Sequence, residues 1–186
     1  PSTFDLWMQI LLEVDGSVLW LFKSNQNSVK NLIKEAKKYG VNDDRLIFAS
    51  HMPIDQHLSR IRLADLFLDT LPYNAHTTSS DALRMGIPVL TCLGKSFASR
   101  VAASLLNAVN LPELITHTPK EYEALAIELA TNPEKLKAIK DKLASNLSTA
   151  PLFDTKRFTK NIESAYMQMY DRSQQGLEPD HIYVEE

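Results

Sequence analysis

The stretch LFLDTLPYNAHTTSSDALRMGIPVLT, from Leu66 to Thr91, has the pattern from which the fold class can be predicted. An apolar run ends at Asp69, a polar loop follows, and one imidazole and four hydroxyls (76–80) come where a helix is predicted to begin. Gly86 ends that predicted helix, at about 78–85, and IPVLTCL is the next apolar strand. A strand, a helix and a strand in this order predict two parallel strands joined by a crossover helix.

The same alternation extends to both sides of this stretch. DGSVLWLF and RLIFAS are predicted as further strands, with helices at about 28–39, in IDQHLSRIRLA and in SFASRVAASLLNAV. The strands are apolar throughout, as is typical of a parallel sheet that is covered on both faces. We therefore predict an α/β fold over residues 1–112, with a Rossmann-like parallel sheet flanked by helices.

Beyond about Pro112 the alternation stops. Three helical stretches follow, at about 119–131, 133–147 and 155–174. No strand is predicted between them, so residues 113–186 are interpreted as a helical C-terminal part that packs on the same domain.

The composition excludes several classes of function. The 186 residues carry a net charge of −3, and lysines are mixed with acids, as in KNLIKEAKK, which argues against a nucleic-acid partner. Cys92 is the only cysteine, so a disulfide framework and a cysteine zinc site are both excluded. No apolar run approaches the roughly 18 residues that a membrane span needs, and no signal-peptide pattern is present. We expect a cytoplasmic protein, or a piece cut from one, since the chain starts at Pro1.

The segment HTTSSD permits two interpretations. Thr78 and Asp81 fit a capping box, which alone would explain these residue types. The same helix start, with free N–H groups and the positive end of the helix dipole, suits a phosphate, and the carboxylate suits a ribose. Residue types by themselves favour the cap, and the ligand interpretation stays open.

Two further clusters follow predicted strands. His57 and Arg60 are three residues apart on a predicted helix, so their side chains share a face on which a nucleobase can be stacked and read. A solvated surface helix is the alternative. Lys95, Ser96, Ser99 and Arg100 line the loop after TCLG, where a phosphate contact and a solvated helix start are equally compatible with the sequence.

The sequence lacks the motifs of several other nucleotide-binding, hydrolytic and metal sites. The five glycines have no G-x-G-x-x-G or P-loop spacing, which argues against a dinucleotide oxidoreductase and a P-loop NTPase. There is no H-E-x-x-H and no nucleophile elbow, and His51 and His57 are not at metal-site spacing. We therefore expect no metal site.

The chain resembles the protein O-GlcNAc transferase family, and its bacterial members in particular, in four segments: HMPIDQHLSRIRLADLFLDTLPYNAHTTSSDALRMGIPVLT, SFASRVAASLL, PLFDTKRFTKNIESAYMQMY and PDHI. They match the C-terminal half of the catalytic region, in order and over almost the whole chain. The resemblance implies a GT-B glycosyltransferase fold, of which residues 1–112 are the Rossmann-like nucleotide-sugar-binding domain. The implied donor substrate is UDP-GlcNAc, with no metal or other cofactor.

Position by position, the resemblance also implies roles for individual residues. His57 matches a histidine that packs on uracil, Arg60 matches an arginine that contacts the base, and Met52 falls where a backbone group contacts the base. At the helix start, a diphosphate-binding His-Thr-Thr and a ribose-binding aspartate are matched by His76, Thr77, Thr78 and Asp81. The family thus favours the ligand interpretation of HTTSSD.

Two departures from the family pattern matter. Animal members have a lysine near the ribose where this chain has Ile54. The family's catalytic lysine, which neutralises the departing diphosphate, falls upstream of Pro1, so no catalytic residue is assigned within the chain. The N-terminal catalytic half and the helical repeats that bind protein acceptors are likewise expected in a longer parent, and this chain alone is expected to be inactive.

The resemblance alone does not determine the branch of the family or the function of the chain. The SPINDLY branch, which handles a fucosyl donor, typically has a run of threonines where this chain has His76, Thr77 and Thr78, so the GlcNAc branch is favoured. The alternatives are the donor domain of another GT-B glycosyltransferase, and a non-catalytic interaction module that retains the fold.

Overall fold

The computed structural model describes residues 2–184, which form eight α-helices and five short strands. The strands are β1 (Leu19–Phe22), β2 (Leu46–Ala49), β3 (Phe67–Leu68), β4 (Val89–Cys92) and β5 (Ile115–Thr116). The helices are α1 (Ser2–Glu13), α2 (Gln26–Lys38), α3 (Ile54–Ile61), α4 (Thr77–Arg84), α5 (Val101–Ala108), α6 (Pro119–Thr131), α7 (Pro133–Asn146) and α8 (Thr155–Gln174). None of the helices within residues 2–184 is long and apolar enough to cross a bilayer.

The strands pair in parallel, as the sequence predicts, but in two separate groups. β1 pairs with β2, from Leu19 opposite Leu46 onward, and β3, β4 and β5 form a three-stranded sheet in that order. β5 was not predicted from the sequence, because only Leu114 and Ile115 are apolar there, between Glu113 and Thr116, whereas the equally short β3 lies in the apolar run LFL. The predicted Rossmann-like arrangement of parallel strands and crossover helices is confirmed.

The main core lies between the three-stranded sheet and the helices that follow it. Leu83 of α4, Val89 of β4, Leu129 of α6 and Leu143 of α7 are fully buried in a single cluster. A second cluster lies between α1, α2 and β2, and a third joins α1 to β4 and α6. By contrast, no residue of α8 is buried. The proposed division at residue 112 stays a prediction.

Two helix starts differ from the sequence expectation. SFASRVAASLLNAV was predicted as one helix, but Phe97–Ser99 form a separate 3-10 turn before α5. Ser96 and Ser99 hydrogen-bond to each other and to the local backbone, which stabilises that turn instead of a continuous helix. The second difference is at α4 and bears directly on the site. At the other end of α4, Gly86 has φ +82°, a left-handed conformation that ends the helix as predicted.

Candidate functional site

The start of α4 lies just beyond the carboxyl end of β3, where open parallel sheets bind their ligands. The helix begins at Thr77 with His76 as its N-cap, and no side chain caps it. The predicted capping box of Thr78 and Asp81 is therefore wrong, because the helix starts one residue earlier and Asp81 is its fifth residue. In residues 2–184, the carboxylate of Asp81 has no ion pair or hydrogen bond.

The first amides of α4 are available to a ligand. Ser80 N–H donates to His76 O (3.1 Å), which is the first bond of the helix. Within the described residues, the N–H groups of Thr77, Thr78 and Ser79 have no acceptor. The side chains of Thr77 and Thr78 are exposed, whereas Ser79 is fully buried and its hydroxyl has no partner. Three free amides at the positive end of a helix dipole form a site for an anion.

Aromatic side chains hold the imidazole of His76 at this helix start. The ring of Tyr73 stacks on it, with centroids 4.8 Å apart and planes 19° apart, and Phe97 makes an edge contact at 6.4 Å. His76 Nε2 lies 3.4 Å from Ala98 O, a long contact. Tyr73 and Phe97 are themselves mostly exposed. His76 is thus oriented by two loops that are far apart in sequence.

Asp69 fixes the loop that leads to α4. Its side chain is buried, with Ala75 N–H donating to Oδ1 (2.6 Å) and the Thr91 hydroxyl donating to Oδ2 (2.6 Å). The Tyr122 hydroxyl donates to the backbone carbonyl of Asp69 (2.9 Å). Burial raises the pKa of Asp69 above its usual range, while these hydrogen bonds favour the ionised form. Asp69 is therefore a positioning residue, a role that was not predicted from the sequence.

The loop after β4 braces the same region. Asn74 N–H donates to Ala98 O (2.9 Å), and Gly94 N–H donates to Ser99 O (2.9 Å). Gly94 is tightly enclosed, since a Cβ there would lie 2.2 Å from Ser99 Oγ. The hydroxyls of Ser96 and Ser99 are used within the loop. Of the residues considered for a phosphate contact in this loop, only the exposed Lys95 and Arg100 keep their side chains free within residues 2–184.

A second group of side chains lies at the carboxyl end of β2, on α3. Arg60 Nε–H donates to His57 Nδ1 (3.2 Å), and Arg60 Nη1 donates to Ser50 O (2.8 Å). The guanidinium carbon lies 5.8 Å from the centre of the Trp20 ring of β1, a cation–π distance. His57, Arg60 and the nearby Met52 are half-buried. The expected face of His57 and Arg60 is thus formed, with Trp20 as a partner that the sequence did not indicate.

The structure brings the base-binding and diphosphate-binding candidates to the same edge. α3 packs against α4, so the two groups are carried by neighbouring helices. No cluster of three or more His, Cys, Asp or Glu side chains suited to a metal ion occurs among the residues that the structure describes. The roles of the individual residues stay predictions.

The family model for glycosyl transferase family 41 matches residues 1–162. The chain belongs to that family. It is 36% identical over 182 residues to the UDP-N-acetylglucosamine–peptide N-acetylglucosaminyltransferase of Caenorhabditis elegans, covering 98% of this chain and 16% of that protein. It is 37% identical over 185 residues to the probable enzyme SEC of Arabidopsis thaliana, covering 99% and 19%. The predicted family resemblance is confirmed.

The relatives also include the other branch. The probable enzyme SPINDLY of Solanum lycopersicum is 37% identical over 188 residues, covering 96% of this chain and 20% of that protein. Overall identity therefore does not separate the SEC and SPINDLY branches.

A solved structure supports the same fold. A mutant of the Thermobaculum terrenum O-GlcNAc transferase superposes with a TM-score of 0.88 at 34% identity, covering 95% of this chain and 35% of that one. The chain thus corresponds to a part of these longer proteins, and spans at most about a fifth of the curated relatives described above.

Proposed function

We propose that this chain binds UDP-GlcNAc and forms the donor-binding part of a glycosyltransferase that transfers N-acetylglucosamine to Ser and Thr of proteins. The observation that carries the proposal is the start of α4, where the amides of Thr77, Thr78 and Ser79 lack acceptors within residues 2–184. His76 stands at the same helix start. Together these groups are suited to a diphosphate.

The remaining candidates suit the rest of the nucleotide. His57 offers a ring to pack on uracil, and Arg60 offers the donors that its bonds to His57 and Ser50 leave free. Met52 would contribute a backbone contact to the base. Asp81 has no partner in residues 2–184 and is suited to accept hydrogen bonds from ribose hydroxyls.

The reaction would use the start of α4 to stabilise the leaving group. As the bond from the sugar to the diphosphate breaks, negative charge grows on the diphosphate oxygens. The α4 amides and His76 would face that charge and would complement it without a metal ion. We therefore expect UDP affinity to be unchanged by EDTA.

Transfer to a protein acceptor would require more than this chain. The relatives whose names state the peptide transferase activity are several times longer, so acceptor binding and further catalytic groups are assigned to the rest of a parent protein. We expect the 186 residues alone to bind UDP but to give no measurable transfer from labelled UDP-GlcNAc, while the parent protein gives transfer. Robust transfer by the 186 residues would contradict this division of labour. A cytoplasmic location stays a prediction.

The test is calorimetric titration of the folded chain with UDP, with GDP as the competing nucleotide. His76→Ala and Arg60→Ala should each weaken UDP binding roughly tenfold or more, because each removes hydrogen bonds to a charged or polar ligand group. The matched control is Arg62→Ala, an exposed arginine at the end of the same helix as Arg60, which should leave the affinity unchanged. Folded protein that binds UDP and GDP equally, or binds neither, would argue for a non-catalytic module.

A further inference from the structure

Trp20 lies on the face of β1 opposite the buried core that β1 shares with α1 and α2. Side chains of a strand alternate between its two faces, so Leu19 and Leu21 share one face, and Trp20 and Phe22 share the other. Leu19 and Leu21 pack against the buried cluster between α1, α2 and β2. Trp20 is half-buried and belongs to none of the three buried clusters in residues 2–184. Core packing therefore does not explain a tryptophan at this position.

The contact that the Trp20 ring does make is with Arg60 of α3. The guanidinium carbon of Arg60 lies 5.8 Å from the centre of the ring. This is within the distance of about 6 Å at which an aromatic face attracts a cation. Arg60 Nη1 also donates to Ser50 O, directly after β2 (2.8 Å). The side chain of Arg60 is thus held from two paired strands, by the ring of β1 and by the backbone at the end of β2.

The third contact of Arg60 determines which nitrogen of His57 carries the proton. Arg60 Nε–H donates to His57 Nδ1 (3.2 Å). A guanidinium is always charged and has only donors, so His57 Nδ1 must be the acceptor and carries no proton. The proton of the neutral ring is therefore on Nε2. Within residues 2–184, His57 Nε2–H has no acceptor, which leaves it as a donor for a ligand.

We propose that Trp20 is a positioning residue of the nucleotide site, which holds Arg60 and, through Arg60, fixes the ring orientation and the tautomer of His57. These contacts are present without a ligand, so the group is formed before a nucleotide binds. The tautomer of His57 follows from the contacts alone, whereas the effect of Trp20 on affinity rests on the proposed binding of UDP.

A group that is already formed lowers the cost of binding a nucleotide. Immobilising a long side chain such as arginine on binding costs free energy, and Arg60 is already held by Trp20 and Ser50. Its remaining N–H groups stay available to a base. With the other tautomer, His57 Nε2 would be an acceptor instead of a donor. Loss of Trp20 should therefore weaken nucleotide binding and reduce the discrimination between bases, although Trp20 itself need not contact the ligand.

Nitrogen-15 NMR of the histidine rings tests the tautomer without any ligand. At mildly alkaline pH, where an imidazole is ordinarily neutral, we expect the proton of His57 on Nε2 and none on Nδ1. Trp20→Leu keeps the position apolar but removes the aromatic face, and should shift His57 toward a mixture of both tautomers. The signal of His57 is assigned by its loss in His57→Gln. His181, in the exposed C-terminal segment, is the internal control and should not change.

Calorimetric titration with UDP and GDP measures the consequence for binding. Trp20→Leu should weaken UDP binding about two- to fivefold, the effect of one cation–π contact, and should narrow the difference between UDP and GDP. Trp20→Phe keeps a ring face and should restore most of the affinity and the tautomer of His57. The matched control is Phe22→Leu, on the same face of β1, because Phe22 makes no cation–π contact with Arg60 in residues 2–184. It should leave both readouts unchanged.

Three results would overturn the assignment of Trp20. A proton on His57 Nδ1 in the unmodified chain would rule out the bond from Arg60. Folded Trp20→Leu protein that keeps both the tautomer and the UDP affinity would show that Trp20 only covers the sheet. Equal losses in Trp20→Phe and Trp20→Leu would show that the aromatic face is not what acts. If the unmodified chain bound no nucleotide, the proposed function would fail, while the tautomer of His57 would still decide the role of Trp20.

Discussion

At the scale of single residues, Asp69 holds the site together through contacts that do not involve a ligand. Asp69→Ala leaves the Ala75 N–H and the Thr91 hydroxyl without their acceptor. We expect the free energy of unfolding to fall by about 2–5 kcal/mol, since each unpaired buried group costs about 1–3 kcal/mol. UDP affinity should fall as well, because the loop to His76 loses its anchor. Urea unfolding and calorimetry measure the two effects.

The control for this substitution is another aspartate. Asp65 is exposed and its only ion pair in residues 2–184 is with Lys140 (3.0 Å). Asp65→Ala should change stability by less than about 1 kcal/mol and leave UDP affinity unchanged. Equal effects of the two substitutions would show that Asp69 does not position the loop.

The raised pKa of Asp69 also predicts that the stability of the fold depends on pH. Its pKa is raised by burial, so the folded chain binds a proton more readily than the unfolded chain between the usual carboxyl pKa and the raised value. The contribution of Asp69 to stability therefore decreases as pH rises through that window, which begins at about pH 4. Asp69→Asn removes the titration. The stability of the unmodified chain relative to this variant should increase as pH is lowered from neutral toward 4, and a flat or opposite trend would contradict the assignment.

Some of these residues could be predicted from the sequence and others could not. His57 and Arg60 are three apart on a helix, so their shared face follows from local geometry alone. Trp20 of β1 contacts Arg60 of α3, and this contact depends on how the strand and the helix pack. Asp69 did have a signal, as a carboxylate that ends an apolar strand at the ligand edge.

At the scale of elements, the loop after β4 depends on Gly94. Gly94→Ala would place a Cβ 2.5 Å from Ser99 Cβ, and Ser99 is buried, so the backbone of the loop must move. We expect a loss of about 1–3 kcal/mol in stability, as for other overpacked sites. UDP affinity should fall several-fold, because Ala98 O braces Asn74 in the loop before α4.

The control substitution for the loop is Gly16→Ala. Gly16 has φ +74° and open space around it, so alanine there adds backbone strain without a clash. It should cost about 1 kcal/mol and leave UDP affinity unchanged. If Gly94→Ala lowered stability but kept full affinity, the loop would not be positioning the site.

The boundary of α4 shows where prediction of elements from sequence fails. The hydroxyls after His76 fit two alternative helix starts that differ by one residue. The structure chooses Thr77, and this choice leaves the first amides without a side-chain cap. His76 contacts Tyr73 and Phe97, which lie in two different loops, so these contacts could not be predicted from either segment alone.

At the scale of the whole molecule, the helical C-terminal part shares its core with the sheet. The alternation of strands and helices predicted the parallel architecture, but not the division of the sheet into two groups. That division depends on which strands meet, and short apolar runs carry no information about their neighbours. One buried cluster contains both Leu83 of α4 and Leu143 of α7. We therefore expect the sheet region and the C-terminal helices to unfold together.

Leu143 of α7 is fully buried in the cluster that includes Val89 of β4. Leu143→Ala should lower the free energy of unfolding by about 2–5 kcal/mol, through lost burial and a residual cavity. Tyr170→Ala on α8, where the side chain is 60% exposed, should cost less than about 1 kcal/mol.

Both tryptophans, Trp7 and Trp20, lie before residue 112, so fluorescence follows the sheet region while far-UV circular dichroism follows all helices. If the parts form one unit, Leu143→Ala shifts both signals to the same lower urea midpoint; a shift in circular dichroism alone would show that residues 113–186 unfold separately.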